Sequence, residues 1–281
     1  MGAQAAPQTS ISIGDIRITN LPDGEGHIVA SGMFPASTEE AWQAHQQFLD
    51  DDGRYVTNIA GFLIQTGDRN IVVDLGLGDH TVEVPDFGVF SGGRYLDSLK
   101  QAGLSPADVD TVVYTHMHID HTGWTTTGEN LTFANARHVA AAAEWEHWQH
   151  PDQSGVGPNP EAVLGPLSSH IDQVGDGEVI APGVNVLATP GHTPGHMSIV
   201  VSSGADRAVI LGDVINCPVQ IAEPEWSVLF DVDPALARRT RESLLAELEG
   251  SSTIVSGSHF TESVFGRVVP GQGQRLWQLG I

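Results

Sequence analysis

The segment Thr115-His116-Met117-His118-Ile119-Asp120-His121 places four potential metal ligands within six positions. In an extended turn His116 and His118 project to the same side, where two imidazoles can grip one cation. Asp120 and His121 then fall across the bend, within reach of a second cation. Thr111 to Thr115 reads as a short apolar strand running straight into this cluster, able to hold it rigidly. A solvated loop that merely happened to be rich in histidine would not call for this pairing of ligand types and spacing.

Three further candidates lie downstream. In Thr189-Pro190-Gly191-His192-Thr193-Pro194-Gly195-His196, Gly and Pro fix a tight loop directly after a strand, which is how a scaffold presents a ligand. His192 is the stronger ligand candidate, whereas His196 opens the next strand and reads as a supporting residue. Asp213 in Leu211-Gly212-Asp213 and His259 in Gly257-Ser258-His259-Phe260 each follow an apolar strand. Either alone would pass as a turn or cap residue. Taken together, all these residues end strands, on what two packed sheets would make a single edge.

The elements that must position them follow from pattern. Ile11, Ile13, Ile16 and Ile18 suggest a strand pair broken near Gly14-Asp15. Ser37-Thr38-Glu39-Glu40 reads as a capping box opening a helix through about Leu49. Tyr55 to Thr66 and Asn70 to Leu75 read as strands joined by a turn at Gly67-Asp68. Tyr95 to Ala102 reads as a helix ending at Gly103. His138 to His150, rich in Ala, reads as a second helix. Val184 to Ala188, His196 to Val201, Ala208 to Leu211 and Thr253 to Ser256 complete the strands. Pro234 to Leu248 is a helix capped by Asp233, with Arg238, Arg239 and Arg241 taken as a solvated face. Strands in two batches, each followed by helices, fit two face-to-face sheets with helices outside. With no repeat or long linker, one domain over 1–281 is expected, residues 1–55 contributing to a pocket or a dimer contact.

Composition narrows the function. The 281 residues carry 35 Asp+Glu against 12 Lys+Arg, a formal charge of −23. That surface excludes a nucleic-acid partner and is repelled by anionic membranes. Histidines number 13, more than all Lys and Arg together, which points to metals or proton transfer. A single cysteine, Cys217, excludes a disulfide framework. There is no run of ~20 apolar residues and no secretory leader pattern, so a cytoplasmic protein acting on a small molecule is expected.

The order His116-x-His118-x-Asp120-His121, His192, Asp213, His259, with Asp74 in Val73-Asp74-Leu75-Gly76, resembles the metallo-β-lactamase superfamily over roughly Asn58 to His259. The resemblance implies an αββα sandwich of two mixed β-sheets flanked by helices (α/β class). It implies two divalent transition-metal ions, zinc first, with iron, manganese and cobalt open. His116, His118 and His192 would hold one ion, and Asp120, His121 and His259 the other, with Asp213 bridging. Asp74 and His196 would orient ligands rather than bind metal. Two cations against Asp120 and Asp213 favour a bridging hydroxide, with Asp120 as the catalytic proton shuttle.

Within that superfamily the sequence is most similar to the acyl-homoserine lactonase and methyl parathion hydrolase branch. The similarity is carried by Phe230-Asp231-Val232-Asp233-Pro234 and by Pro85 to Gly93. It implies hydrolysis of a carboxylic ester, a lactone foremost, with a possible homodimer. A phosphotriester is the alternative substrate, and glyoxalase II thioesterase, β-lactamase and mononuclear iron oxygenase activities stand further off. Many acyl-homoserine lactonases carry a Tyr three positions after the bridging Asp, where this chain has Asn216. Asn216, Phe34, Phe87, Phe90, Trp124, Trp226 and Phe260 are the expected pocket residues.

Overall fold

A computed structural model describes residues 2–150 and 155–280. Among these, one sheet runs in the order Ile171–Val174, Arg137–Ala141, Thr111–Val113, Arg69–Val73, Tyr55–Thr66, Ile16–Ile28, Gly88–Ser91, Thr81–Val84, with Ser10–Ile13 also paired to Ile16–Ile28. The other runs Val179–Ala181, Val184–Ala188, Met197–Ser203, Asp206–Ile210, Ile254–Ser256, Phe265–Pro270, Arg275–Leu279. Both are mixed. Thr111–Val113 lies parallel to both its neighbours, and Ile254–Ser256 parallel to Asp206–Ile210, among otherwise largely antiparallel pairs.

Strand alternation separates three layers of core. Phe62, Ile64, Val73, Val113 and Val139 point between the sheets, against Val184, Val186, Ile199, Val201 and Ile210. Their sequence neighbours Leu63, Val72 and Val112 face outward beneath Tyr95, Leu99 and Phe133. On the other outer face Val209 and Val255 meet Leu244, Leu245 and Leu248 of the helix Pro234–Leu248. This is the αββα sandwich that the resemblance implies, with the two face-to-face sheets that the strand pattern fits.

Several expectations need correction. His138 to His150 is not one helix: Arg137–Ala141 is a strand between Thr111–Val113 and Ile171–Val174, and only Ala142–His147 is helical. Pairing on both edges overrides the helix preference of the Ala run. Ser37 does not cap. Thr38 accepts the Ala41 N–H, while Ser37 Oγ bridges Trp42 Nε1 and the Phe34 carbonyl. The helix Glu39–Trp42 then tightens into the 3-10 segment Gln43–Phe48, with non-helical dihedrals at His45. Pro234–Leu248 is capped by Asp233 as expected, but Arg241 is fully buried, donating to the Pro224 and Val214 carbonyls. No helix among the described residues is long and apolar enough to cross a membrane.

Candidate metal centre

The histidine loop leaves Thr111–Val113 and is held by Asp74, buried at the end of Arg69–Val73. Asp74 Oδ1 accepts the Thr115 N–H at 2.8 Å, and Oδ2 accepts Thr115 Oγ1 at 2.8 Å and His121 Nδ1 at 2.9 Å. Its φ of 59° is a left-handed conformation, tolerated by Asp and uncommon outside Gly. Asp74 thus reaches both ends of the loop at once.

The second loop follows Val184–Ala188. Gly191 has φ 133°, and a Cβ there would lie 2.2 Å from Ala237 N, so glycine lets the loop seat on the Pro234–Leu248 helix. His196 Nε2 accepts the Asp213 N–H at 2.8 Å, and its Nδ1 sits 3.0 Å from the Thr189 carbonyl. Burial, then neighbouring His192, pushes its pKa down to about 3. His196 is therefore a neutral ring whose lone pair fixes the Asp213 backbone. His259 is set by Asn58, whose carbonyl accepts Nδ1 at 2.7 Å and whose Nδ2 donates to the Ser258 carbonyl at 2.8 Å.

These loops converge. His116, His118 and His192 form one group able to hold an ion, Asp120, His121 and His259 another, and His116, His121 and Asp213 a third that joins them, with ligand atoms within 4.8 Å in each. Asp213 Oδ1 lies 3.4 Å from His121 Nε2, while Oδ2 lies 3.3 Å from His259 Nε2 and 3.5 Å from His192 Nε2.

The outer nitrogens fix the tautomers. His121 Nδ1 donates to Asp74, His192 Nδ1 to Asp231 Oδ1 at 2.8 Å, and His259 Nδ1 to the Asn58 carbonyl. Thr115 Oγ1 gives its own hydrogen to Asp74, so it accepts from His116 Nδ1 at 3.2 Å. When neutral, each of these rings presents a bare Nε2 lone pair inward. His121 Nε2 and His259 Nε2 face each other at 3.2 Å, and Asp213 Oδ1 is buried without a hydrogen-bond partner. Inward lone pairs around a buried carboxylate fit divalent cations. Protons can take that place only in part. Burial and adjacent imidazoles hold His116 and His118 well below the usual imidazole pKa. On His121 the balance is reversed: burial opposes the charge, but Asp213 and Asp74 lift its pKa to about 10, and Asp213 raises that of His259 as well.

A cavity of about 430 Å³ opens over this cluster. Asp120, His118, His192, Asp213 and His259 form its floor, and Ile28, Met33, Val82, Phe87, Phe90 and Phe230 its walls. No Lys or Arg is among the described lining residues. Phe87 and Phe90 lie where the sequence placed them, at and beyond the turn joining Thr81–Val84 to Gly88–Ser91. Four other expected pocket aromatics do not line it. Phe34 and Trp226 pack with Trp42 and Tyr55 in a buried aromatic cluster. Phe260 lies edge-on to Trp277 under the second sheet. Trp124 packs in the outer core of the first sheet, its Nε1 donating to Asp23 at 2.9 Å. Asn216 does reach the cavity, but its Nδ2 donates to Asp213 Oδ2 at 2.9 Å.

Asp231, Asn58 and Glu144 support the cluster, and the sequence pattern does not single them out as site residues. Asp231 lies in Phe230-Asp231-Val232-Asp233-Pro234 and carries no strand-end signal. Asn58 acts through its carbonyl, which no residue type advertises.

The strand-end ligands and the inward lone pairs make a site suited to divalent metal ions. The chain belongs to the metallo-beta-lactamase superfamily, whose profile matches residues 54–259. It is 32% identical over 164 residues to an N-acyl homoserine lactonase of Bacillus sp., a match covering 53% of this chain and 60% of that protein. To an N-acyl homoserine lactonase of Bacillus cereus it is 31% identical over 201 residues, 66% of this chain and 76% of the relative. Among solved structures it is similar to AidC, a dizinc quorum-quenching lactonase in complex with a product, N-hexanoyl-L-homoserine, with a TM-score of 0.86, 22% identity and 98% coverage of each chain.

Proposed function

We propose that this chain is a dinuclear metallohydrolase that opens an uncharged carboxylic ester, a lactone in the first instance. His116, His118 and His192 would hold one divalent ion and Asp120, His121 and His259 the other, with Asp213 between them and zinc the first choice. The observation that carries the reading is a cluster of six ligand candidates, five of them buried, around Asp213 at the floor of an apolar cavity. When bound, the metal pair supplies a Lewis acid and an activated water at neutral pH. The chain's own residues do the rest. Asp120 is the ligand candidate with solvent access, its side chain 26% exposed and its Oδ2 3.5 Å from His259 Nε2. It is placed to take a proton from the nucleophile and return it to the leaving alkoxide. Asn216 holds the Asp213 carboxylate. The apolar walls exclude water and favour an apolar substituent on the ester.

No Lys or Arg among the described lining residues is available to bind the carboxylate of an anionic thioester or a β-lactam away from the metal pair. A phosphotriester is uncharged and suits the same walls, and it stands as the second reading. The related lactonases of Bacillus, acting on N-acyl homoserine lactones by name, support the first. Hydrolysis followed with a pH indicator across lactones, aryl esters, phosphotriesters and thioesters decides. Turnover of lactones above all others is expected, and turnover confined to phosphotriesters or thioesters would contradict it.

A further inference from the structure

We infer that Glu144 is a positioning residue that clamps the two histidine loops together and so sets the affinity of the His116, His118 and His192 site. The inference rests on the metal-centre reading above. Glu144 is fully buried on the short helix Ala142–His147. Its Oε1 accepts the Met117 N–H at 2.9 Å and Trp148 Nε1–H at 2.7 Å. Its Oε2 accepts Thr193 Oγ1–H at 2.6 Å and the Gly195 N–H at 3.1 Å. Met117 stands between His116 and His118, and Thr193 directly follows His192. One carboxylate therefore ties together the three imidazoles of one site, two supplied from one sheet and one from the other.

The clamp is close-fitting. A Cβ on Gly195 would lie 2.0 Å from Glu144 N, so the second loop must pass this helix as glycine. Trp148 is oriented by the same carboxylate, and its ring meets His118 edge-on at 5.6 Å. No Lys, Arg or His pairs with Glu144 among the ion pairs of the described residues. All four donors are neutral. Burying a carboxylate without a cation is costly unless hydrogen bonds compensate, and an amide in its place offers only one acceptor oxygen. What four acceptances at one point provide is register between loops that the chain leaves far apart.

The test is metal binding rather than turnover. Metal-free wild type, Glu144→Gln, Thr193→Val and Thr193→Ser are titrated with Zn(II) against a chromophoric chelator, and with Co(II) followed by absorption. Ligand-supporting residues change metal affinity roughly 10–100-fold. Glu144→Gln should weaken one of the two ions by about that factor and leave the other unchanged. Thr193→Val should do the same in part, and Thr193→Ser should restore wild-type affinity. A residue with a merely structural role would lower the melting temperature without splitting the two affinities. Unchanged affinities, or equal loss at both sites, overturn the inference. If Glu144→Gln fails to fold, the Thr193 pair decides: equal affinities for Val and Ser overturn it. Wild type that binds no metal overturns the metal-centre reading with it, whereas two ions with unsplit affinities in the variants overturn the role of Glu144 alone.

Discussion

Asp231 Oδ1 lies 2.8 Å from His192 Nδ1, so the imidazole that joins His116 and His118 carries its proton on the outside and its lone pair within. A carboxylate behind a ligand histidine fixes the ring and raises its basicity. Replacing Asp231 with Ala should weaken metal binding by roughly 10–100-fold and lower kcat while the sheets remain folded. Chelator competition with far-ultraviolet circular dichroism checks it. Wild-type affinity would show that His192 needs no orienting partner.

Asp120 differs from its neighbours in reaching solvent, which is what a proton shuttle requires. Asp120→Asn should cut turnover by about 10²–10⁴-fold. Full turnover in the Asn variant would assign the proton transfer elsewhere.

Two sets of aromatics should separate cleanly. Phe87 and Phe90 line the cavity, so Ala at either should raise KM for esters with long apolar substituents and leave stability little changed. Phe34 is buried against Trp42, Tyr55 and Trp226, so Phe34→Ala should cost about 3–5 kcal/mol of stability. Thermal melts paired with KM measurements on both variants distinguish wall from core.

His138 offers a pH prediction away from the cluster. It is buried between Tyr114 Oη and the Phe133 carbonyl, and burial pushes its pKa down to about 4. Unfolded imidazole titrates near ~6.5, so the unfolded chain binds the extra proton between those values. The contribution of His138 is therefore complete above about pH 6.5 and declines as pH falls toward 4. His138→Asn, which loses hydrogen bonds but cannot titrate, should be destabilised less at pH 4.5 than at pH 7.5. An equal deficit at both pH values would contradict a buried neutral imidazole.

The pattern of what could be read from the chain follows from how local each signal is. His116, His118, Asp120 and His121 share one loop, so their spacing alone describes their geometry. Asp213 and His259 are legible because an apolar strand precedes each. Glu144 is not, since a Glu in an Ala-rich stretch looks like a helix surface until Met117 and Thr193 are brought to it by the fold. The strand Arg137–Ala141 reads as helix for the same reason: its partners Thr111–Val113 and Ile171–Val174 are distant, and only their pairing outweighs the helix preference of alanine. Trp124 is expected at the pocket because it lies three residues after His121, and Phe34, Trp226 and Phe260 by analogy with the family the chain resembles. Hydrophobicity tells that such rings are buried, not which core they enter.

Removing metal should also destabilise the protein, because the inward imidazoles and the buried Asp213 carboxylate would lose the charge that draws them together. A ligand that binds only the folded state adds stability by mass action, so chelation should lower the melting temperature and added Zn(II) should restore it. The most direct test of the whole account is the metal content of the purified protein, by elemental analysis against protein concentration. Close to two divalent transition-metal ions per chain is the predicted result. One ion or none, in protein that still hydrolyses its ester, would contradict the dinuclear centre.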